Sequence, residues 1–118
     1  MDQSNVVLRY RDGRTERVTL VDTDVEQQVA TVNRDGANAA VPFGDLKAIF
    51  FPRTGAEEQA PAAGSTIAVE FADGEIIRGQ AHYNPERNGF FLFPHDRSKN
   101  DRIFVVNSAI VSIEVEKL

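Results

Sequence analysis

The sequence predicts an all-β protein made of two tandem small five-stranded barrels, related by internal duplication and packed against each other. Three observations carry that expectation. Short runs alternate apolar and polar residues with the period of a half-buried strand, Asp-Gly pairs close two of those runs, and one strand pattern is written twice along 118 residues.

The first unit opens on Val6-Val7-Leu8-Arg9-Tyr10, whose alternate residues Val6, Leu8 and Tyr10 share one face. Asp12-Gly13 then turns the chain, because both residue types tolerate positive φ. Strands are expected over 5–11, 15–22, 27–34, 38–43 and 47–51, the second long and bent, with room for one helical turn within 43–48. The second unit opens on Ile67, Val69 and Phe71 and turns at Asp73-Gly74. Its strands are expected over 65–72, 75–83, 89–94, 102–107 and 110–116.

The two units stay aligned well beyond the first hairpin. Arg17 falls on Arg78, Val29 on Phe90, Thr31 on Leu92, Val32 on Phe93 and Asp35 on Asp96. The second unit then carries three extra residues, Ser98-Lys99-Asn100, in a turn, where insertions are best tolerated. After them Ala39, Val41 and Phe43 face Ile103, Val105 and Asn107, while Leu46, Ile49 and Phe51 face Ile110, Ile113 and Val115.

The expected boundaries are a first barrel over 1–53, a linker over 54–64 rich in Pro, Gly and Ala, and a second barrel over 65–118. Five short strands in about 50 residues fit a barrel of the SH3-like or Sm-like kind, whose closure removes exposed strand edges. Phe50, Phe51, Phe90, Phe91 and Phe93 fall in runs that load both faces of their strands with aromatics. They form the expected apolar interface, either between the two units as a pseudo-twofold pair or in a homodimer.

Composition narrows the function classes. Thirteen basic against 18 acidic side chains give a net charge of −5, which disfavours general nucleic-acid binding because phosphate neutralisation drives it. No cysteine is present, so thiol catalysis, thiolate metal sites and disulfides are excluded. No apolar run is long enough for a membrane-spanning helix, and Met1-Asp2-Gln3-Ser4-Asn5 lacks the plan of a signal peptide, so a cytoplasmic location off the membrane is expected. His82 and His95 stand too far apart in sequence to suggest a metal site, and no cofactor is expected.

Two resemblances add to this reading. Asp73-Gly74-Glu75-Ile76-Ile77-Arg78-Gly79 and the segment Ile103 to Ile113 resemble the first turn and closing segment of the Sm family, which implies an Sm-like barrel. The family's base-holding residues do not carry over: Pro85 and Gly89 stand where it has Asp and Asn, and Val106-Asn107 where it has Arg-Gly. Across nearly its full length the chain resembles an uncharacterised bacterial family of tandem small β-barrels. The motifs are Leu46-Lys47-Ala48-Ile49-Phe50-Phe51, Gly89-Phe90-Phe91-Leu92-Phe93-Pro94 and Arg102-Ile103-Phe104-Val105-Val106. That resemblance implies a small module of signalling or regulatory systems.

A search for chemistry finds no nucleophile beside a positioned base, since neither Ser108 nor Thr66 has a histidine nearby in sequence. Asp12 and Asp73 read as turn residues, Glu16 and Glu114 as solvent-facing ones, so no enzyme is expected. One charged constellation remains, Arg87, His95, Arg97, Lys99 and Arg102, which could contact an anion or an acidic partner. Arg9, Arg11, Arg14 and Arg17 form a second basic strip on the first hairpin. The expected function is a non-catalytic protein-interaction or regulatory module of a bacterial regulatory system, its partner another protein. The alternatives are a sensor of a small anionic ligand such as a nucleotide, and an Sm-like nucleic-acid binder.

Overall fold

The computed structural model describes residues 4–52, 65–82, 86–95 and 100–116. They form ten strands: β1 (Ser4–Tyr10), β2 (Thr15–Asp24), β3 (Val29–Arg34), β4 (Ala37–Pro42), β5 (Leu46–Pro52), β6 (Ser65–Phe71), β7 (Ile76–Ala81), β8 (Gly89–Pro94), β9 (Asn100–Val106) and β10 (Ile110–Glu116). Single 3-10 turns at Phe43–Asp45 and Asn107–Ala109 precede β5 and β10, and there is no α-helix among the described residues. The expected linker over 54–64 lies outside the described residues.

All ten strands belong to one antiparallel sheet in the order β10-β6-β7-β8-β9-β5-β1-β2-β3-β4. The expectation of two closed barrels is corrected here. Closing the first five strands would pair β5 with β4, but the outer edge of β5 is taken by β9 and the ladder runs on as an open sheet. A pseudo-twofold pair would join like strands; here the fifth strand of one half meets the fourth of the other.

The halves nevertheless share their local construction. Each has its last strand beside its first, followed by the second, third and fourth. At the first hairpin the Tyr10 N–H donates to Arg14 O and the Gly13 N–H to Tyr10 O (2.9 and 3.1 Å). The second hairpin repeats both bonds, Phe71 N–H to Glu75 O and Gly74 N–H to Phe71 O, each at 2.9 Å. Gly13 and Gly74 occupy the left-handed region at φ 94° and 90°, so the Asp-Gly turns form as the sequence predicts. The long second strand also bends as expected, through a register shift between Leu20 and Asp22.

Register and side-chain alternation place the cores of the two halves on opposite faces of the sheet. Leu8, Ile49, Phe104 and Phe91 lie in one cross-strand row, Val7, Phe50, Ile103 and Leu92 in the next, facing the other way. Burial on the first row is complete at Leu8 and Ile49 and fades to Phe91; on the second it is complete at Leu92 and fades to Val7. At the crossover both faces of β5 are covered, so Leu46 through Phe51 are all buried. Phe104, from the second half, reaches the core of the first and packs on Phe43 with ring centroids 5.6 Å apart.

Two glycines set the packing distance in the second half. A Cβ at Gly79 would overlap the backbone of Phe93 and Pro94, and one at Gly89 would overlap the Phe104 ring. Gly79→Ala is expected to lower stability by about 2 kcal/mol, because the β7–β8 ladder must open to admit a methyl. Gly44→Ala, where nothing lies within 4 Å, should change it by less than about 0.5 kcal/mol. Urea unfolding of the two variants checks both values.

Candidate functional site

Lys47 is the second residue of β5, with only 6% of its surface exposed. A buried ammonium needs partners, and the second half supplies them. Its Nζ donates to Asp73 Oδ2 at 2.7 Å and to Glu75 Oε1, and lies 4.8 Å from the centre of the Phe71 ring. Arg9 reaches Glu75 from the same direction at 3.5 Å while its guanidinium covers the Phe50 ring at 4.3 Å. Arg11 donates to the Leu46 and Phe43 carbonyls at 2.9 and 3.1 Å and to Ser108 Oγ. Asn88 adds a bond to the Val25 carbonyl at 2.9 Å. Arg9 and Arg11 therefore do not form a free basic face: they join the halves.

A second polar cluster lies within the first half. Glu16 accepts two bonds from Arg34, at 2.7 and 2.8 Å, and one from the Tyr10 hydroxyl at 2.6 Å. The Arg34 and Tyr10 bonds hold its carboxyl below the usual value, whereas burial first, then the Glu16 carboxylate, raises the Tyr10 hydroxyl. Glu16 is thus a structural anchor and not simply a solvent-facing residue. Beside it an open groove of about 730 Å³ is lined by Tyr10, Arg14, Arg34, Val41, Pro42 and Asp45.

The residues predicted to contact an anion do not gather at one point among those described. Arg87 is exposed in the loop before β8, where its carbonyl accepts a bond from Asn107 Nδ2. His95 is exposed just after β8, and its backbone N–H donates to Arg78 O at 3.0 Å. Arg97 and Lys99 lie outside the described residues. Arg102 belongs with the aromatic residues: its guanidinium is 4.5 Å from the Phe51 ring centre and 4.6 Å from that of Phe91. Of the predicted apolar interface, Phe50, Phe51 and Phe90 are buried within the chain, Phe93 is half-buried, and Phe91 is 37% exposed. Consecutive phenylalanines are accounted for mainly by strands with a core on each side.

The sheet ends differently from its middle. No strand pairs with the outer edges of β4 and β10 among the described residues. On β10, Val111 is 61% and Val115 46% exposed, although Val115 stands opposite the fully buried Ile67. No group of three or more His, Asp or Glu placed to hold a metal, and no helix long and apolar enough to cross a membrane, occurs among the described residues.

Residues 2–117 match the family described as "Family of unknown function (DUF6982)". The chain belongs to that family. No curated protein and no solved structure matches it. Nearly the whole chain, including both hairpins, the Lys47 cluster and both sheet edges, lies inside the matched span.

Sequence reasoning missed Lys47, Asp73 and Glu75 as a unit. A signal was present: one lysine inside the otherwise apolar run Leu46 to Phe51 requires a counter-charge. Lys47→Met, which leaves two partly exposed carboxylates that water can solvate, is expected to cost about 1 kcal/mol. The double variant Asp73→Asn/Glu75→Gln, which leaves the ammonium buried and unpaired, should lower the urea midpoint further. The reverse order would show that Lys47 does not depend on those carboxylates.

The Lys47 hydrogen bond, followed by the backbone N–H of Glu75, holds the Asp73 carboxyl below its ordinary value of 3.8. A lowered carboxyl stabilises the fold above its unfolded value and loses that contribution as pH falls through the folded one. Below about pH 4 the wild type should therefore lose stability more steeply than Asp73→Asn, measured by denaturation at a series of pH values.

Proposed function

We propose that this protein is a non-catalytic protein-interaction module of a bacterial regulatory system, which binds by adding a partner's extended strand to an open edge of its sheet. One observation carries the reading: among the described residues β10 ends the sheet with no strand on its outer edge, and with Val111 and Val115 exposed beside a buried apolar core. Open edges of this kind invite pairing, and soluble proteins usually blunt or use them. Main-chain bonds to the edge would supply affinity, and the exposed valines a place for alternate partner side chains.

The same reading treats the chain as one SH3-like or Sm-like unit duplicated, over 1–53 and 65–118. The shared strand order, the matching Asp-Gly hairpin bonds and the 3-10 turn before each last strand support it. It places the module in the cytoplasm. An anion sensor built on Arg102 is less favoured, since that guanidinium packs against two phenyl rings.

The test compares immobilised wild type, Val115→Lys and Phe91→Ser, each confirmed folded by circular dichroism, for capture of proteins from lysate. A specific partner should bind wild type and Phe91→Ser and weaken about tenfold or more with Val115→Lys, since lysine on an edge opposes pairing. Equal binding by Val115→Lys would rule out the β10 edge, and no enrichment at all would count against an interaction module.

A further inference from the structure

The joint between the halves pairs, once, the counterparts of the two strands whose outer edges have no partner among the described residues. At that joint a fifth strand, β5, pairs with a fourth strand, β9, through Ala48–Val105, Ile49–Phe104 and Phe50–Ile103. The two ends of the sheet are the other fourth strand, β4, and the other fifth strand, β10. We propose that a second copy of this chain docks its β10 against β4, repeating the internal joint between molecules. The inference rests on the interaction-module reading and on the duplication, and names the partner.

The correspondence of the two halves fixes the register. Ile49 corresponds to Ile113 and Val105 to Val41, so Ser112 meets Val41, Ile113 meets Ala40, Glu114 meets Ala39 and Val115 meets Asn38. Pro42, which lacks a backbone donor, then falls one residue beyond the last pair, as Val106 does at the internal joint. The alternating faces match as well. β5, covered at the internal joint, has every residue from Leu46 to Phe51 buried, whereas its counterpart β10 leaves Ile110 and Ile113 half-buried and Val115 46% exposed.

The side chains around the joint are exchanged in a compatible way. Lys47 corresponds to Val111, the exposed residue at the register shift of β10. Its surroundings Phe71, Asp73 and Glu75 correspond to Tyr10, Asp12 and Arg14, and Tyr10 and Arg14 line the open groove beside β4. The incoming position has lost its cation, and Arg14 replaces one of the two carboxylates that held it. The Arg9–Glu75 ion pair corresponds to Glu70 and Arg14, so the signs are swapped and opposite charges still meet. Such an interface is head-to-tail: each copy offers β10 to one neighbour and β4 to another, and the array closes or grows.

Sedimentation velocity over a concentration series tests this. Wild type should rise above the 13.1 kDa of one chain as concentration increases. Val115→Lys and Ala40→Lys, each confirmed folded by circular dichroism, should both remain at one chain, because each blocks one of the two surfaces. Their equimolar mixture retains one intact β10–β4 pair and should reach two chains and no more. Since the chain has no cysteine, Asn38→Cys/Val115→Cys should also form disulfide-linked ladders on mild oxidation. Wild type that stays at 13.1 kDa throughout overturns the inference, as does Ala40→Lys that dimerises alone, which would mean a symmetric β10–β10 contact. Monomeric wild type that still captures another protein, with binding lost in Val115→Lys, would remove self-assembly and leave the interaction module standing.

Discussion

Everything in this fold depends on the pairing of β5 with β9. Both strands are covered on both faces, so their side chains cannot follow the apolar-polar alternation of a half-buried strand. Ile49 serves the core of the first half and Phe50 the side of the second; Phe104 reaches back to Phe43 while Ile103 and Val105 face their own core. Burying each such side chain contributes about 1.5–3 kcal/mol, and removing either strand would uncover two cores at once. The two halves of the sheet thus lend each other a strand surface.

Ion pairs add directional contacts to the joint between the halves. Apolar contact alone is non-directional, but a buried ammonium has few acceptable positions, and Lys47 has its carboxylates only where the second hairpin places Asp73 and Glu75. The acidic side of that cluster is held by the Asp-Gly turn, in which Asp73 Oδ1 also accepts the Glu75 N–H at 2.9 Å. The first hairpin has the same internal geometry, with Asp12 accepting the Arg14 N–H at 3.0 Å, yet no buried lysine among the described residues reaches it. One turn chemistry thus supports a joint in one half and borders an open groove in the other.

The strands and hairpins were legible in the sequence because their causes are local. Alternation at Val6, Leu8, Tyr10 and at Ile67, Val69, Phe71, together with Asp-Gly, located both hairpins, and β8 and β10 begin and end where expected. The way the halves connect was not legible, because a choice between β5–β4 and β5–β9 pairing depends on contacts distant in the chain. Phe50 and Phe51 are both buried within the chain, on opposite faces of β5, and the pseudo-twofold arrangement expected to bury them was not found. The basic residues show the limit most clearly: Arg9, Arg11 and Arg102 look alike in sequence as solvent-facing cations. Two of them bridge the halves, and the third lies against Phe51 and Phe91.

The two halves differ in a way that fits one joint being internal and the outer edges of β4 and β10 having no partner strand among the described residues. Along β9 the apolar residues paired with β5 are Ile103, Phe104 and Val105; along β4 the residues at the matching positions are Ala39, Ala40 and Val41. A joint within the chain benefits from the high effective concentration of its own partner and can be built from large apolar groups. A free edge with the same residues would be an aggregation hazard, and alanines on β4 with Glu114 on β10 reduce that hazard. Less apolar area would be covered at such an edge than at the β5–β9 joint. An edge contact of the kind proposed would therefore be weaker than the internal one and reversible with concentration.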